Sequence, residues 1–217
     1  ELNCEYNRLT ALDLSQNANL TYLNCATDAA GNYNRITELD LSHCPKLSYL
    51  DCANEQLKEL DISVLPKLEY LDCEGCRLKT LDLRCNTELR ELYAGQNAWT
   101  TLDVSGCRNL KNLDCSGNVK LTALDVTKNS QLEKLDCSST SRNTLDVSGN
   151  RKLKELRCSG NYLTSLDVSK CQRLAVLYCY RNELSALNIS NNLLLNDLRC
   201  YDNRLAQIDI SATPIAE

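Results

Sequence analysis

Cysteine is unusually frequent in this sequence, with 14 in 217 residues. Cys73 and Cys76 form the only CxxC pair, a spacing that often supplies two of the four ligands of a zinc site. Zinc would need a second pair or additional histidines, and His43 is the only histidine. Nine cysteines instead recur at one slot of a repeating pattern, and Ala94 fills that slot in another copy, which is typical of a small buried apolar residue. The sequence therefore predicts buried free thiols and neither a metal site nor a cofactor.

Aspartate provides a second regular series of groups that could do chemistry. An acid precedes the second-half aliphatic residue in nine of ten repeat units: Asp13, Asp40, Asp61, Asp82, Asp103, Asp125, Asp146, Asp167 and Asp209. Stacked carboxylates repel one another, and two arrangements would offset this. Each carboxylate could accept hydrogen bonds from the backbone or hydroxyl two residues later, or the row could bind calcium ions. Each unit offers one carboxylate, so we favour the hydrogen-bonded arrangement.

Few residues in this chain could support catalysis. There is one histidine and no nucleophile motif, and acids such as Asp51 and Asp72, which could serve glycoside hydrolysis, occupy regular repeat positions. The net charge of -5 argues against a nucleic-acid partner. No stretch approaches the roughly 18 apolar residues of a membrane span. We expect a protein that is not an enzyme.

A 21-residue repeat must position these groups. Units open at Leu20, Leu47, Leu68, Leu89, Leu110, Leu132, Leu153, Leu174 and Leu195, after a partial unit at Leu2. In the consensus LxxLxCxxNxLxxLDVSxNxx, Leu and Cys alternate with polar residues, as in a half-buried strand. The chain lacks Phe and Met and has one Trp, which indicates a thin aliphatic core. We predict a mostly β, right-handed solenoid of about 9–10 coils, with a parallel strand sheet, a second, shorter line of strands on the opposite side and little helix. Residues 1–217 should form a single domain and a fragment of a longer chain.

Several positions refine or break this repeat. Bend asparagines form two series that should satisfy backbone groups: Asn7, Asn97, Asn118, Asn161, Asn182 and Asn203, and then Asn17, Asn86, Asn129, Asn150 and Asn192. Trp99 and Arg142 occupy leucine slots, and we expect Arg142 to turn outward or to find a partner. Residues 26–35 form an insertion that predicts a surface loop. Cys85 lies outside every slot and should be exposed.

The first half of the repeat matches the leucine-rich-repeat signature, with Cys in the third apolar slot. The chain resembles bacterial leucine-rich-repeat proteins, in particular the short-repeat surface proteins of Bacteroidetes, with internalins as more distant relatives. The resemblance covers Leu2 to Ser211 and implies the solenoid fold and a location on the bacterial cell surface or outside the cell. It does not identify a ligand.

The outward side of the strand sheet carries two aromatic clusters. The first cluster is Tyr22, Tyr49, Tyr70 and Tyr93, flanked by Asp51, Asp72 and Glu74; the second cluster is Tyr178, Tyr180 and Tyr201, flanked by Arg157, Arg181 and Arg199. Tyr and Arg are enriched at binding hot spots, although outward Tyr also favours strands, so simple steadying of the sheet stays open. We expect a non-catalytic protein-interaction or adhesion module that binds through this face, or alternatively a carbohydrate-binding surface. The first cluster should prefer a basic partner and the second an acidic one.

Overall fold

The computed structural model describes residues 1–30 and 33–216. Ten short parallel strands form one sheet in chain order: β1 (Leu2–Asn3), β2 (Tyr22–Asn24), β3 (Tyr49–Asp51), β4 (Tyr70–Asp72), β5 (Glu91–Tyr93), β6 (Asn112–Asp114), β7 (Lys134–Asp136), β8 (Glu155–Arg157), β9 (Val176–Tyr178) and β10 (Asp197–Arg199). A single 3-10 turn, Pro214–Ala216, is the only helix among the described residues. The predicted parallel β-solenoid is confirmed.

Equivalent residues of successive coils pair with one another across the sheet. Leu23 pairs with Leu50, and Leu50 with Leu71. Because side chains alternate between the two sides of a strand, this pairing stacks Leu on Leu inside and keeps polar residues outside. A slip of one residue would bury the outward tyrosines and carboxylates, so the repeat specifies the register strongly.

The cysteines of the strand slot form a buried ladder beside the leucines. Seven have no exposed surface: Cys25, Cys52, Cys73, Cys115, Cys137, Cys158 and Cys179. The Cys52 Sγ donates to the Asp72 carbonyl oxygen at 3.4 Å, so a thiol of one coil bonds the backbone of the next. Burial raises the pKa of Cys179 to about 12. The prediction of buried thiols is confirmed, as is the exposure of Cys85.

The second half of each coil contains no strand within residues 1–30 and 33–216, so the predicted second line of strands is wrong. The turn that closes each second half uses its backbone donors within its own coil. The Asn150 N–H bonds the Val147 carbonyl at 3.0 Å, and the Ser148 N–H bonds the Asp146 carboxylate at 2.8 Å. Side chains then link the coils, as where the Asn150 amide donates to the Val126 carbonyl at 2.9 Å. Among the described residues, the Leu, Asp and Val positions before this turn donate no backbone hydrogen bond to a neighbouring coil.

Asparagines of the first series join neighbouring coils, because an amide both donates and accepts hydrogen bonds. The Asn182 Nδ2 donates to the carbonyls of Cys158 and Cys179, both at 3.0 Å, while its Oδ1 accepts the Leu163 N–H at 3.0 Å. Asn34 does the same, accepting the Leu9 N–H at 2.9 Å. Asn34 cannot be recognised from the 21-residue spacing, because the insertion at residues 26–35 shifts it from the regular bend position.

In nine of the ten coils, the residue before the bend residue has a left-handed backbone. It is non-glycine in six coils, Tyr6, Asn54, Gln96, Ser139, Arg181 and Asp202, and glycine in three, Gly75, Gly117 and Gly160. A second left-handed residue, Arg77 or Ser141, appears where Cys76 or Thr140 replaces the asparagine. These bends lack the bridging amide, and their backbones depart from the regular conformation.

Glu55 occupies the asparagine slot of its coil. Its Oε2 accepts the Ile36 N–H at 2.5 Å, reproducing one amide bond, but its buried Oε1 has no hydrogen-bond partner. A carboxylate cannot donate to the carbonyls that an amide reaches. Burial raises the pKa of Glu55 to about 7, so the protonated acid, which can donate, is the form that fits this slot.

Arg142 lies fully inside the solenoid, with no exposed surface. Its Nε donates to the Thr140 Oγ1 at 2.9 Å, but neither terminal nitrogen of the guanidinium has a partner. Of the two outcomes expected for Arg142, the side chain does not turn outward but finds a partner, which satisfies one guanidinium nitrogen of three. Trp99 is also fully buried with an unpaired indole N–H. The aliphatic column thus contains a cation that the surrounding residues solvate poorly.

Replacing Arg142 by leucine restores the repeat and removes the unpaired donors. We expect the Arg142→Leu variant to be more stable by about 2 kcal/mol, because each unsatisfied buried donor costs free energy. Urea denaturation followed by circular dichroism measures this. The matched control Arg151→Leu, at an exposed site, should change stability by less than about 0.5 kcal/mol. A destabilised Arg142→Leu protein would contradict this account of the core.

Glu55 should make stability depend on pH. The folded chain holds this proton more tightly than the unfolded chain, whose glutamate has the ordinary pKa of 4.5. The contribution to stability is therefore full below 4.5 and is lost as the pH rises through about 7. We expect Glu55→Gln, which can donate at any pH, to gain roughly 1–2 kcal/mol over the parent at alkaline pH and little in acid. Equal effects in denaturation at both pH values would refute this role.

Candidate functional site

The outward side of the strand sheet, called here the outward face, consists of three columns of side chains. One column precedes the central leucine of each strand, one follows that leucine, and one follows the ladder cysteine. All the residues predicted to bind a partner lie in these columns except Arg181, which follows Tyr180. The sheet therefore gathers them on one side of the molecule.

The first cluster is a stack of tyrosine rings. The ring centroids of Tyr22 and Tyr49 lie 4.3 Å apart at 14°, and those of Tyr49 and Tyr70 lie 4.2 Å apart at 6°. Tyr93 stands in the neighbouring column, 5.6 Å from Tyr70 and tilted by 44°. One ring thus covers the face of the next, and each of the four side chains is partly exposed.

Carboxylates run beside this stack without a cation. Asp51 and Asp72 pair across β3 and β4, and each accepts a backbone N–H from the residue two positions on, Ala53 at 3.1 Å and Glu74 at 3.0 Å. Burial, with smaller effects from Asp51 and Glu74, raises the pKa of Asp72 to about 7. Burial also raises the pKa of Asp51. Within the described chain, no lysine or arginine lies within 4.0 Å of either carboxylate.

The second cluster combines tyrosines with arginines that are already paired. The guanidinium carbons of Arg199 and Arg157 lie 4.2 Å and 5.0 Å from the Tyr178 ring centroid. Arg157 also pairs with Glu155 at 2.6 Å, and Arg199 with Asp197 at 3.5 Å.

Next to these residues, the rings of Tyr180 and Tyr201 stack at 4.5 Å, and Arg181 contacts Asp202 at 3.5 Å. The cluster is aromatic, but its arginines have acidic partners within the chain. This pairing removes most of the positive charge that would attract an acidic partner.

Two shallow grooves join the clusters across the central coils. One, of about 260 Å³, runs from Tyr93 past Asp114 and Asp136 to Arg157. The other, of about 430 Å³, has Ser116, Ser138 and Ser159 along its floor. The sequence analysis did not include Asp114, Asp136 or these serines among the site residues. The run of small residues after the cysteines was the signal for a trough.

The aspartate row of the second halves has a structural role. Each of its nine carboxylates accepts the backbone N–H two residues later, as in Ser105 to Asp103 at 2.9 Å, which agrees with the hydrogen-bonded arrangement. The backbone bond and the Ser105 hydroxyl lower the pKa of Asp103. At Asp82, the side chain and backbone of Arg84 lower the pKa to about 2. In residues 1–30 and 33–216, no cluster of three or more His, Cys, Asp or Glu side chains is arranged to hold a metal ion.

Solved structures of other proteins share this architecture. The functional domain of InlJ from Listeria monocytogenes, which includes a cysteine ladder, is 37% identical, with a TM-score of 0.93; the match covers 97% of this chain and 46% of that one. The fold is a leucine-rich-repeat solenoid. The internalin InlF from Listeria monocytogenes is 19% identical, with a TM-score of 0.72 and coverage of 95% and 68%.

This solenoid also resembles a plant structure. The ectodomain of an Arabidopsis thaliana membrane receptor kinase, in complex with CASPARIAN STRIP INTEGRITY FACTOR 2, is 23% identical, with a TM-score of 0.81 and coverage of 94% and 26%. No protein-family model and no curated protein sequence matches the solenoid.

The similarity to bacterial leucine-rich-repeat proteins of the internalin type is stronger than the sequence analysis expected. The expected kinship with Bacteroidetes surface proteins stays a prediction. The solenoid spans 46% of the InlJ chain that it matches. Over the described part of the chain, no helix has the length and apolarity to cross a membrane.

Asp72 on the sheet and Asp82 in the second half of its coil should titrate at widely separated pH values. We expect NMR titration of the side-chain carboxyl carbons to give a pKa of about 7 for Asp72 and about 2 for Asp82. The raised pKa means that the stability from Asp72 is full below 3.8 and is lost as the pH rises through about 7. The lowered pKa means that the stability from Asp82 is present above 3.8 and is lost as the pH falls through about 2. Similar titration midpoints would contradict the difference in environment.

Proposed function

We propose that this solenoid is a non-catalytic protein-interaction or adhesion module that binds its partner across the outward face. The observation that carries the proposal is the concentration of aromatic side chains there: seven of the ten tyrosines lie in the three columns. Tyrosine provides a large contact area with little loss of side-chain entropy, and it is enriched where binding energy concentrates.

Preorganisation supports the proposal. The rings are already stacked. The Tyr178 hydroxyl donates a hydrogen bond to the Asp197 carboxylate at 2.5 Å, and the Tyr93 hydroxyl donates one to the Glu91 carboxylate at 3.0 Å. Side chains held in this way lose less freedom on binding, which favours affinity. The solenoid similarity adds support, since the receptor ectodomain of the same fold was solved with a bound factor. The similarity to Listeria proteins supports a place on the bacterial surface or outside the cell.

A glycan ligand is less well supported by the geometry. Sugars bind aromatic residues by lying on the ring face, but in the first cluster Tyr49 is covered on both faces by Tyr22 and Tyr70. A stack of half-buried rings with covered faces suits a protein surface better. Acids of the outward face occupy regular strand positions, which supports a role in recognition over one in catalysis.

Binding should depend on the outward tyrosines. Purified chain would be screened against arrays of extracellular proteins and of glycans, and each ligand would be measured again with Tyr49, Tyr178 and Tyr201 replaced by serine. We expect protein ligands, and a loss of affinity of at least about tenfold in the triple variant.

A matched control carries serine at three tyrosines outside the columns, Tyr6, Tyr33 and Tyr162, each of which is exposed. Its affinity should stay within about twofold of the parent. If both variants bind like the parent, the tyrosines only steady the sheet. Glycan ligands alone would favour the carbohydrate alternative.

A further inference from the structure

Building on the proposed function, we propose that the first half of the outward face, from β2 to β6, binds a cationic protein segment whose lysine or arginine side chains enter the carboxylate row beside the tyrosine stack. The charge layout of this half, its unpaired carboxylates and an arginine-tyrosine arrangement elsewhere in the chain all point to such a partner.

The charges of the outward face divide along the solenoid. Over β2 to β6 the three columns contain acidic residues and no basic residue, and the acids are Asp51, Asp72, Glu74, Glu91 and Asp114. Over β7 to β10 the columns contain three acids and three bases, which are Asp136, Glu155, Asp197, Lys134, Arg157 and Arg199. The first half is therefore negative, and the second half is balanced within itself.

The carboxylates of the first half are held close together and partly out of water. Neighbouring strands lie roughly 4.8 Å apart, so the paired Asp51 and Asp72 repel each other. Their partners are backbone N–H groups, and Asp114 likewise accepts the Ser116 N–H at 2.9 Å. A cation placed between them relieves this repulsion and replaces the water that the sheet has partly excluded.

The second half of the outward face shows that a guanidinium group fits beside a tyrosine in the column that follows the central leucine. There, Tyr178 lies between Arg157 and Arg199, whose guanidinium groups are 5.0 Å and 4.2 Å from its ring centroid. In the first half, Tyr93 holds the same column between Asp72 and Asp114. A guanidinium from a partner, placed beside Tyr93, would contact its ring and reach carboxylates on both sides, a combination that favours arginine.

The surface around Tyr93 has room for a backbone to approach. The third column is small in the coil of Tyr93 and in the next coil, with Gly95 and Ser116, while Glu74 holds this position in the preceding coil. A Cβ atom on Gly95 would lie 3.2 Å from the Ser116 carbonyl oxygen and 3.4 Å from the Asp114 Oδ1, so a side chain would crowd the carboxylate. A second copy of this chain would not serve as the partner, because the outward arginines of the second half are already paired with Glu155 and Asp197.

The test uses a synthetic peptide of alternating arginine and serine as the cationic probe, and a glutamate-serine peptide of equal length as its acidic counterpart. Binding to the whole chain is measured by fluorescence anisotropy at about 150 mM salt, where weak long-range attraction is screened. One variant carries Asp51→Asn, Asp72→Asn and Asp114→Asn. The control variant carries Asp61→Asn, Asp103→Asn and Asp146→Asn, the same number of substitutions on the opposite side.

We expect the cationic peptide to bind the parent and the control alike, the acidic peptide not to bind, and the outward-face variant to lose at least about tenfold in affinity. Equal losses in the two variants would show a general charge effect and overturn the proposal. So would an unchanged affinity in the outward-face variant, with circular dichroism used to verify that both variants fold. If the outward-face variant binds the cationic peptide like the parent while the tyrosine variant still loses its array ligands, the protein-interaction function stands and only the cationic partner is rejected.

Discussion

Hydrogen bonding between equivalent residues of adjacent coils is the constraint on which this structure depends. No coil is long enough to bury its own leucines, so each relies on the next to cover its apolar edge and to meet its backbone donors and acceptors. The strands supply one set of bonds, and the bend amides supply another, as Asn182 does between Cys158 and Leu163. This shared requirement keeps leucine, cysteine and asparagine in fixed slots. The outward columns carry no such requirement and are free to vary.

Aspartates on the two sides of the solenoid have pKa values shifted in opposite directions. On the second halves, Asp82 is exposed and bonded by Arg84, and its pKa is lowered. On the sheet, Asp72 is partly buried beside Asp51, Glu74 and Asp114, and its pKa is raised, mainly by burial. The sheet side therefore holds partly desolvated carboxylates, and perturbed groups of this kind are typical of functional sites.

The repeat alone was sufficient to predict the fold and the register, because the period of Leu and Cys leaves one way to bury both. It also placed the tyrosine columns correctly. Asn34 was hidden by the insertion before it. The second line of strands failed because, throughout the coils that the structure describes, the Leu-Asp-Val segments form no backbone hydrogen bonds between coils, and asparagine side chains link the coils there instead. The pairing of Arg157 with Glu155 could have been found, since residues two apart on a strand share a side. The burial of Arg142 could not have been predicted, because burying a poorly paired charge is energetically unfavourable.

The buried arginine has a mechanical consequence for the solenoid as a rod. In a stack where each layer touches only its two neighbours, strength is set by the weakest junction and not by the average. The layer of Arg142 contains two unpaired guanidinium nitrogens and an irregular bend at Ser141, both of which weaken it. Under tension along its axis, the rod would yield first at this layer and separate into two blocks. The acidic first half of the outward face would lie in one block and the aromatic second cluster in the other.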